Sequence, residues 1–115
     1  MAIYSKELLS GSTNGRPILV TGTGTGSSVL IHQAHVTATE EIWIYASIPL
    51  GVDDNLTLEF GGTTSPDDLI VMQILSQQGL FVVIPGLILR RPGIVRAWAG
   101  TANQINVCGF VNRIL

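Results

Sequence analysis

The sequence predicts an all-β chain folded as an antiparallel, jelly-roll-like β-sandwich of about eight strands. Three observations carry that expectation. Apolar residues recur every second position, as they do on a half-buried strand. The runs are rich in β-branched and aromatic residues, which suit a pleated surface. Turn-forming clusters of Gly, Pro, Asn, Asp and Ser separate the runs at short intervals. At 115 residues the chain is one domain's worth.

The elements follow in order. Residues 17–21 hold the apolar Ile18-Leu19-Val20, and residues 28–36 continue in β-like sequence with no helical face. In 41–48, Ile42, Ile44, Ala46 and Ile48 share one face, with Trp43, Tyr45 and Ser47 on the other. In 55–60, Leu56, Leu58 and Phe60 alternate with Thr57 and Glu59. A run at 80–84 ends before Pro85-Gly86, read as a turn. In 94–99, Arg96 and Trp98 share the second face, and in 104–111 Ile105, Val107 and Val111 oppose Asn106, Cys108 and Phe110. Residues 66–78 are two-sided. Ser65-Pro66-Asp67-Asp68 is a good helix start and Gly79 a good stop, yet Leu69-Ile70-Val71-Met72 is apolar all round and fits a strand for 69–75.

Residues 1–16 are set apart as an extended N-terminal arm, and 17–115 as a single sandwich domain. The arm's apolar Ile3, Tyr4, Leu8 and Leu9 have no clean period. They anchor on a neighbouring subunit, or the terminus is simply frayed.

Composition narrows function. Charged residues are 12%, about half the usual share. Thr, Ser, Gly, Asn and Gln take their place, and mean hydropathy is +0.44. Such a surface suits a chain covered by copies of itself or by a partner. A net charge of −2 gives no bulk reason to bind nucleic acid or anionic lipid. The single cysteine, Cys108, excludes an internal disulfide and a cysteine-based zinc cluster. No apolar stretch is long enough to span a bilayer as a helix.

The motifs are weak. Thr21-Gly22-Thr23-Gly24-Thr25-Gly26 follows an apolar run as a dinucleotide loop would, but no helix-forming sequence follows it, so a connecting loop is expected. His32 and His35, three apart, would point to opposite faces of a strand, and nothing completes a coordination shell. Asp53-Asp54-Asn55 and Asp67-Asp68 lack a calcium-loop framework and read as turn chemistry. No nucleophile elbow or paired acid is present, so no catalytic, cofactor or metal residue is assigned and an enzyme is not expected. Positive charge gathers late in the chain, at Arg90, Arg91, Arg96 and Arg113. Trp43, Tyr45 and Trp98 either anchor a contact or pack the core while the aliphatics face another subunit. A partner interface is expected to draw on Ile3, Tyr4, Leu8, Leu9, Arg90, Arg91, Arg96 and Trp98.

Five phrases carry a resemblance: SKELLSGSTNGR at 5–16, EIWIYAS at 41–47, LTLEFGGTT at 56–64, LFVVIPG at 80–86 and GFVNRI at 109–114. As a series covering nearly the whole chain, they resemble small β-rich virion proteins of tailed bacteriophages, of the capsid decoration or cement type. The resemblance implies a β-sandwich, often trimeric, made in the bacterial cytoplasm. It would sit on the outer capsid surface of the virion and clamp neighbouring major capsid proteins, with no cofactor, nucleic acid or membrane. It transfers no site residue. A neck, tail or fibre-base role is the first alternative, and a carbohydrate-binding jelly roll with Trp43, Tyr45 or Trp98 against a sugar ring is the second.

Overall fold

A computed structural model of the chain describes residues 4–114. It holds nine strands: β1 (Tyr4–Leu8), β2 (Ile18–Leu19), β3 (Val29–Gln33), β4 (Thr39–Ser47), β5 (Asp54–Phe60), β6 (Leu69–Ile74), β7 (Phe81–Leu89), β8 (Ile94–Ala99) and β9 (Asn106–Ile114). One sheet runs β1-β9-β4-β7, and the other β3-β8-β5-β6. The two-residue β2 joins β9 beside Asn106 and Val107, further along the same edge that β1 occupies.

With β2 set aside, the topology is that of one long hairpin rolled up. The first strand pairs with the last (β1·β9), then β3·β8, β4·β7 and β5·β6, all antiparallel. Successive pairs alternate between sheets, and within each sheet the two pairs are joined by one further pairing, β4·β9 in the first and β5·β8 in the second. This is the jelly-roll arrangement of an antiparallel sandwich.

Alternation decides which faces meet. Ile42, Ile44 and Ala46 of β4 and Val107 and Val111 of β9 pack inward against Leu56 and Leu58 of β5 and Val95, Ala97 and Ala99 of β8, all buried. The aliphatics are therefore the core, and Trp43, Tyr45 and Trp98 lie on the outer faces. Burying one such aliphatic side chain contributes about 1.5–3 kcal/mol.

Three elements differ from the sequence expectation, and the 66–78 segment, left open between strand and helix, is decided for the strand. The segment set apart as an arm is an edge strand over Tyr4–Leu8, registered from Tyr4↔Ile114 to Leu8↔Phe110, and Leu9 is core, 1% exposed. Its period is hard to see because its inward residues are Ser5 and Glu7. The 66–78 segment contains a strand, Leu69–Ile74, and no helix. The Ser-Pro-Asp-Asp signals serve a tight turn instead, where Asp68 Oδ2 accepts from Thr64 N–H and Asp68 N–H donates to the Thr64 carbonyl. Pro85-Gly86 does not end a strand, because β7 runs through to Leu89. As an edge strand it needs no N–H at Pro85, and the register shift between Leu87 and Pro85 makes Gly86 (φ 86°) the bulged residue. The strand expected at 17–21 shortens to Ile18–Leu19.

The Gly22–Ser28 run is a crossing between the sheets. It holds one 3-10 turn at Thr25–Ser27 and leads directly into β3, with no helix for a phosphate to sit on. Gly22 O accepts from Ala99 N–H, and a side chain at Gly22 would overlap Ser27. The carboxylates of the Asp53-Asp54 turn accept from backbone amides, two of them on distant loops. Asp53 Oδ1 accepts from Ser76 N–H, and Asp54 accepts from the N–H groups of Asn55 and Thr101.

Gly109 lies at the centre of β9 opposite Ile44, where a Cβ would overlap the Trp43 carbonyl oxygen. Gly109→Ala is expected to force β4 and β9 apart and lower stability by about 3 kcal/mol or more. The midpoint of urea unfolding measures it, and an unchanged midpoint would mean the two strands are not packed as described.

Candidate functional site: the outer faces and the buried carboxylate between them

Antiparallel sheets that face water on one side usually alternate apolar-in and polar-out. The outer face of the β1-β9-β4-β7 sheet departs from that rule. β1 presents Tyr4, Lys6 and Leu8 outward, beside Ile114, Asn112 and Phe110 of β9. β4 adds Glu41, Trp43 and Tyr45, and β7 adds Val82 and Ile88 through their pairing with Tyr45 and Glu41. Tyr4 is 69% exposed, Leu8 52%, Ile88 56% and Val82 48%.

The centre of this face is ordered by specific contacts. Trp43 stacks on Phe110, with centroids 6.2 Å apart and planes 12° from parallel. The Lys6 ammonium sits 4.6 Å from the Phe110 ring centroid. Glu41 Oε1 accepts from Trp43 Nε1 at 2.7 Å and from Asn112 Nδ2 at 3.0 Å. These donors hold the Glu41 carboxyl below its ordinary pKa, Trp43 contributing most. The Trp43 ring also rests against Gly86, at whose bulge a side chain would meet it. Cys108 sits half-buried on the same face, and burial pushes its thiol pKa up.

The outer face of the other sheet is closed more tightly. Arg96 lies across from Glu59 in register, but its guanidinium turns to Ser28, with Nε to Oγ at 2.8 Å and NH2 to the carbonyl at 2.6 Å. Glu59 is buried, its Oε2 accepting from the Thr25 hydroxyl of the glycine-rich crossing. Glu59 Oε1 and Trp98 Nε1 are buried without a hydrogen-bond partner.

The expected interface residues therefore do not form one site. Tyr4 and Leu8 stand on one outer face, and Arg96 and Trp98 on the opposite one. Arg90 and Arg91 are exposed at the β7–β8 turn, at one end of the sandwich. Leu9 is a correction: it is buried core and has no surface to offer. Ile3 lies outside the described residues. Sequence reasoning missed Lys6, Val82, Ile88 and Phe110. Their alternation was readable for Phe110, but only the strand pairing brings the four to one face.

A buried charge network lies inside this end of the sandwich. Glu40 is wholly buried; its Oε1 meets His32 Nε2 at 2.7 Å and His35 N–H at 3.0 Å, and its Oε2 meets Arg113 Nε at 3.0 Å. His32 is buried too, and its Nδ1 accepts from Ser10 N–H at 2.9 Å. The ring proton is thereby placed on Nε2, donating to Glu40. Both ring nitrogens of His32 are thus occupied by hydrogen bonding, and among the described residues no cluster of three His, Cys, Asp or Glu side chains is arranged to hold a metal.

Desolvation by burial raises the Glu40 pKa, but the hydrogen bonds from His32, the His35 amide and Arg113 together outweigh it, and the net direction is down. A carboxyl lowered on folding stabilises the native state above its unfolded value, near 4.5, and that contribution is lost as pH falls through the lower folded value. Urea midpoints measured from pH 7 downward are expected to fall below about pH 4.5, and Glu40→Gln is expected to flatten that acid limb. Glu40→Ala, which strands His32 and Arg113, is expected to cost about 3–5 kcal/mol. An acid limb equally steep in Glu40→Gln would remove Glu40 from this role. No family model matches the chain, and no curated protein matches it.

Proposed function

We propose that the protein is a structural virion component, a capsid decoration or cement protein that binds the outside of a phage head as a homo-oligomer, with three-fold symmetry the leading expectation. The observation that carries the reading is the outer face of the β1-β9-β4-β7 sheet, which presents Tyr4, Leu8, Val82 and Ile88 around the stacked Trp43–Phe110 pair. One polar row, Lys6, Asn112 and Glu41, crosses this face, and large apolar side chains this exposed on both sides of it mark an interaction surface. Aromatic anchors with few charges match the composition of interface cores. The low charge of the whole chain agrees, since few ions would need desolvation on docking.

The action is mass action. A protein that binds only the assembled lattice stabilises it by its binding free energy. Several contacts per oligomer, repeated over many lattice sites, turn weak interfaces into avidity. The carbohydrate reading has less support, because Trp43 is engaged with Phe110 and Trp98 is partly covered.

The test uses shells lacking the protein. Purified protein is expected to co-sediment with them and raise their melting temperature. Ile88→Glu and Val82→Lys are expected to abolish both effects while changing the protein's own stability by no more than about 0.5 kcal/mol, because both side chains are solvent-facing. Failure of the unaltered protein to bind would overturn the proposal. Full binding by both variants would move the contact to another face.

A further inference from the structure

The β3–β4 turn and the β7–β8 turn meet at one end of the sandwich and enclose an open hollow of about 220 Å³, lined by His35, Val36, Thr37, Ala38, Arg90 and Arg91. Its charge is unbalanced. Arg90 and Arg91 are exposed, and among the described residues neither is in an ion pair. The nearby buried carboxylate, Glu40, is already met by His32 and Arg113, so it is not free to neutralise them. His35 is held rigidly: its Nδ1 accepts from Thr37 N–H at 3.2 Å and Ala38 N–H at 2.9 Å. That places the ring proton on Nε2, which remains a donor. The residues lining the hollow thus carry two forked guanidinium groups and an imidazole N–H, while the Thr37 hydroxyl lies 3.5 Å from His35 Nδ1.

We infer that this hollow is a carboxylate-binding site that takes an acidic side chain from the surface of a protein partner. Guanidinium groups bind carboxylates through paired, charge-assisted hydrogen bonds. The volume is below the range of pockets that enclose a cofactor or drug-sized ligand, and it suits the end of a single side chain. A nucleic-acid backbone would need a run of cations tracking its phosphates, whereas this chain has only six Lys and Arg in all and a net charge of −2. Exposed Val36, 64% accessible at the rim, offers an apolar contact beside the charges. The site deepens the proposed function: resting on that reading, it assigns the end of the sandwich a charged anchor on the capsid partner, separate from the apolar sheet face.

Two arms test it. Nitrogen-15-labelled protein is titrated with hexaglutamate at low salt, with hexaglutamine and inorganic phosphate as comparisons. Saturable shifts are expected at the amides of residues 35–38 and 90–91, with a Kd raised at least about tenfold in Arg90→Ala/Arg91→Ala. Both arginines are exposed in a turn, and an unchanged spectrum elsewhere verifies that the variant is folded. Absence of those shifts, equal shifts in the variant or with hexaglutamine, or shifts from phosphate alone would overturn the assignment. The second arm measures binding of Arg90→Glu/Arg91→Glu to shells lacking the protein. Loss of binding is the expected result, and undiminished binding beside a binding wild type overturns the site while leaving the shell role standing. If the unaltered protein binds no shell, the shell role falls and the hexaglutamate arm alone decides the hollow.

Discussion

A single carboxylate organises one end of this sandwich. Glu40 lies on the inward face of β4, continuing the line of Ile42, Ile44 and Ala46. A charge in that position is tolerated only when donors surround it. Those donors come from far apart in sequence: His32 from β3, the His35 amide from the following turn, and Arg113 from β9. The β3 register shift between Leu30 and His32 is part of the same arrangement, because the extra residue lets both Ile31 and His32 face inward. Ser10, just after β1, closes the network: its N–H donates to His32 Nδ1, and its side-chain oxygen accepts from the Gln33 N–H. One buried charge therefore fastens the edge strand β1, the strand β3 of the other sheet and the last strand β9.

The network also has a consequence at the surface. Because Glu40 is matched by His32 and Arg113, the two arginines of the β7–β8 turn are left with their charge facing outward. The polar anchoring inside and the cationic hollow outside are two sides of the same pair of turns. On the broad outer face of the neighbouring sheet the chemistry is different. There the stacking of Trp43 on Phe110, with Lys6 over the ring and Glu41 tied to both Trp43 and Asn112, holds large side chains rigid. Side chains already ordered lose less entropy on docking, which favours the docking role proposed for this face.

The glycine-rich crossing shows why a motif needs its context. Read as letters, its glycines follow an apolar run as those of a dinucleotide-binding loop do. In the fold it bridges the two sheets, and its Thr25 hydroxyl satisfies one oxygen of the buried Glu59. Its glycines answer to packing, since Gly22 is pressed against Ser27. Asp68 teaches the same lesson: a residue suited to a helix start is equally suited to a turn, and the apolar run after it decided for a strand.

By itself the sequence determined the fold class, the strands from Val29 to Ile114 to within a few residues at most ends, the turns between them, and the separation of aliphatic from aromatic faces. Those properties are local, set by a two-residue period and by turn chemistry that neighbours enforce. β1 was not readable, because its inward positions are Ser5 and Glu7 and its strand character comes from pairing with β9. The continuation of β7 past Pro85 was hidden for a similar reason: only an edge position makes a proline harmless there. Of the candidate site, the sequence supplied Tyr4, Leu8, Arg90 and Arg91 as surface residues but misplaced Leu9 and could not say that Arg96 and Trp98 lie on the far side. Tertiary structure alone decided which strands are neighbours, and therefore which side chains share a face. Strand pairing joins residues as far apart in sequence as Tyr4 and Ile114, and no local pattern encodes that choice.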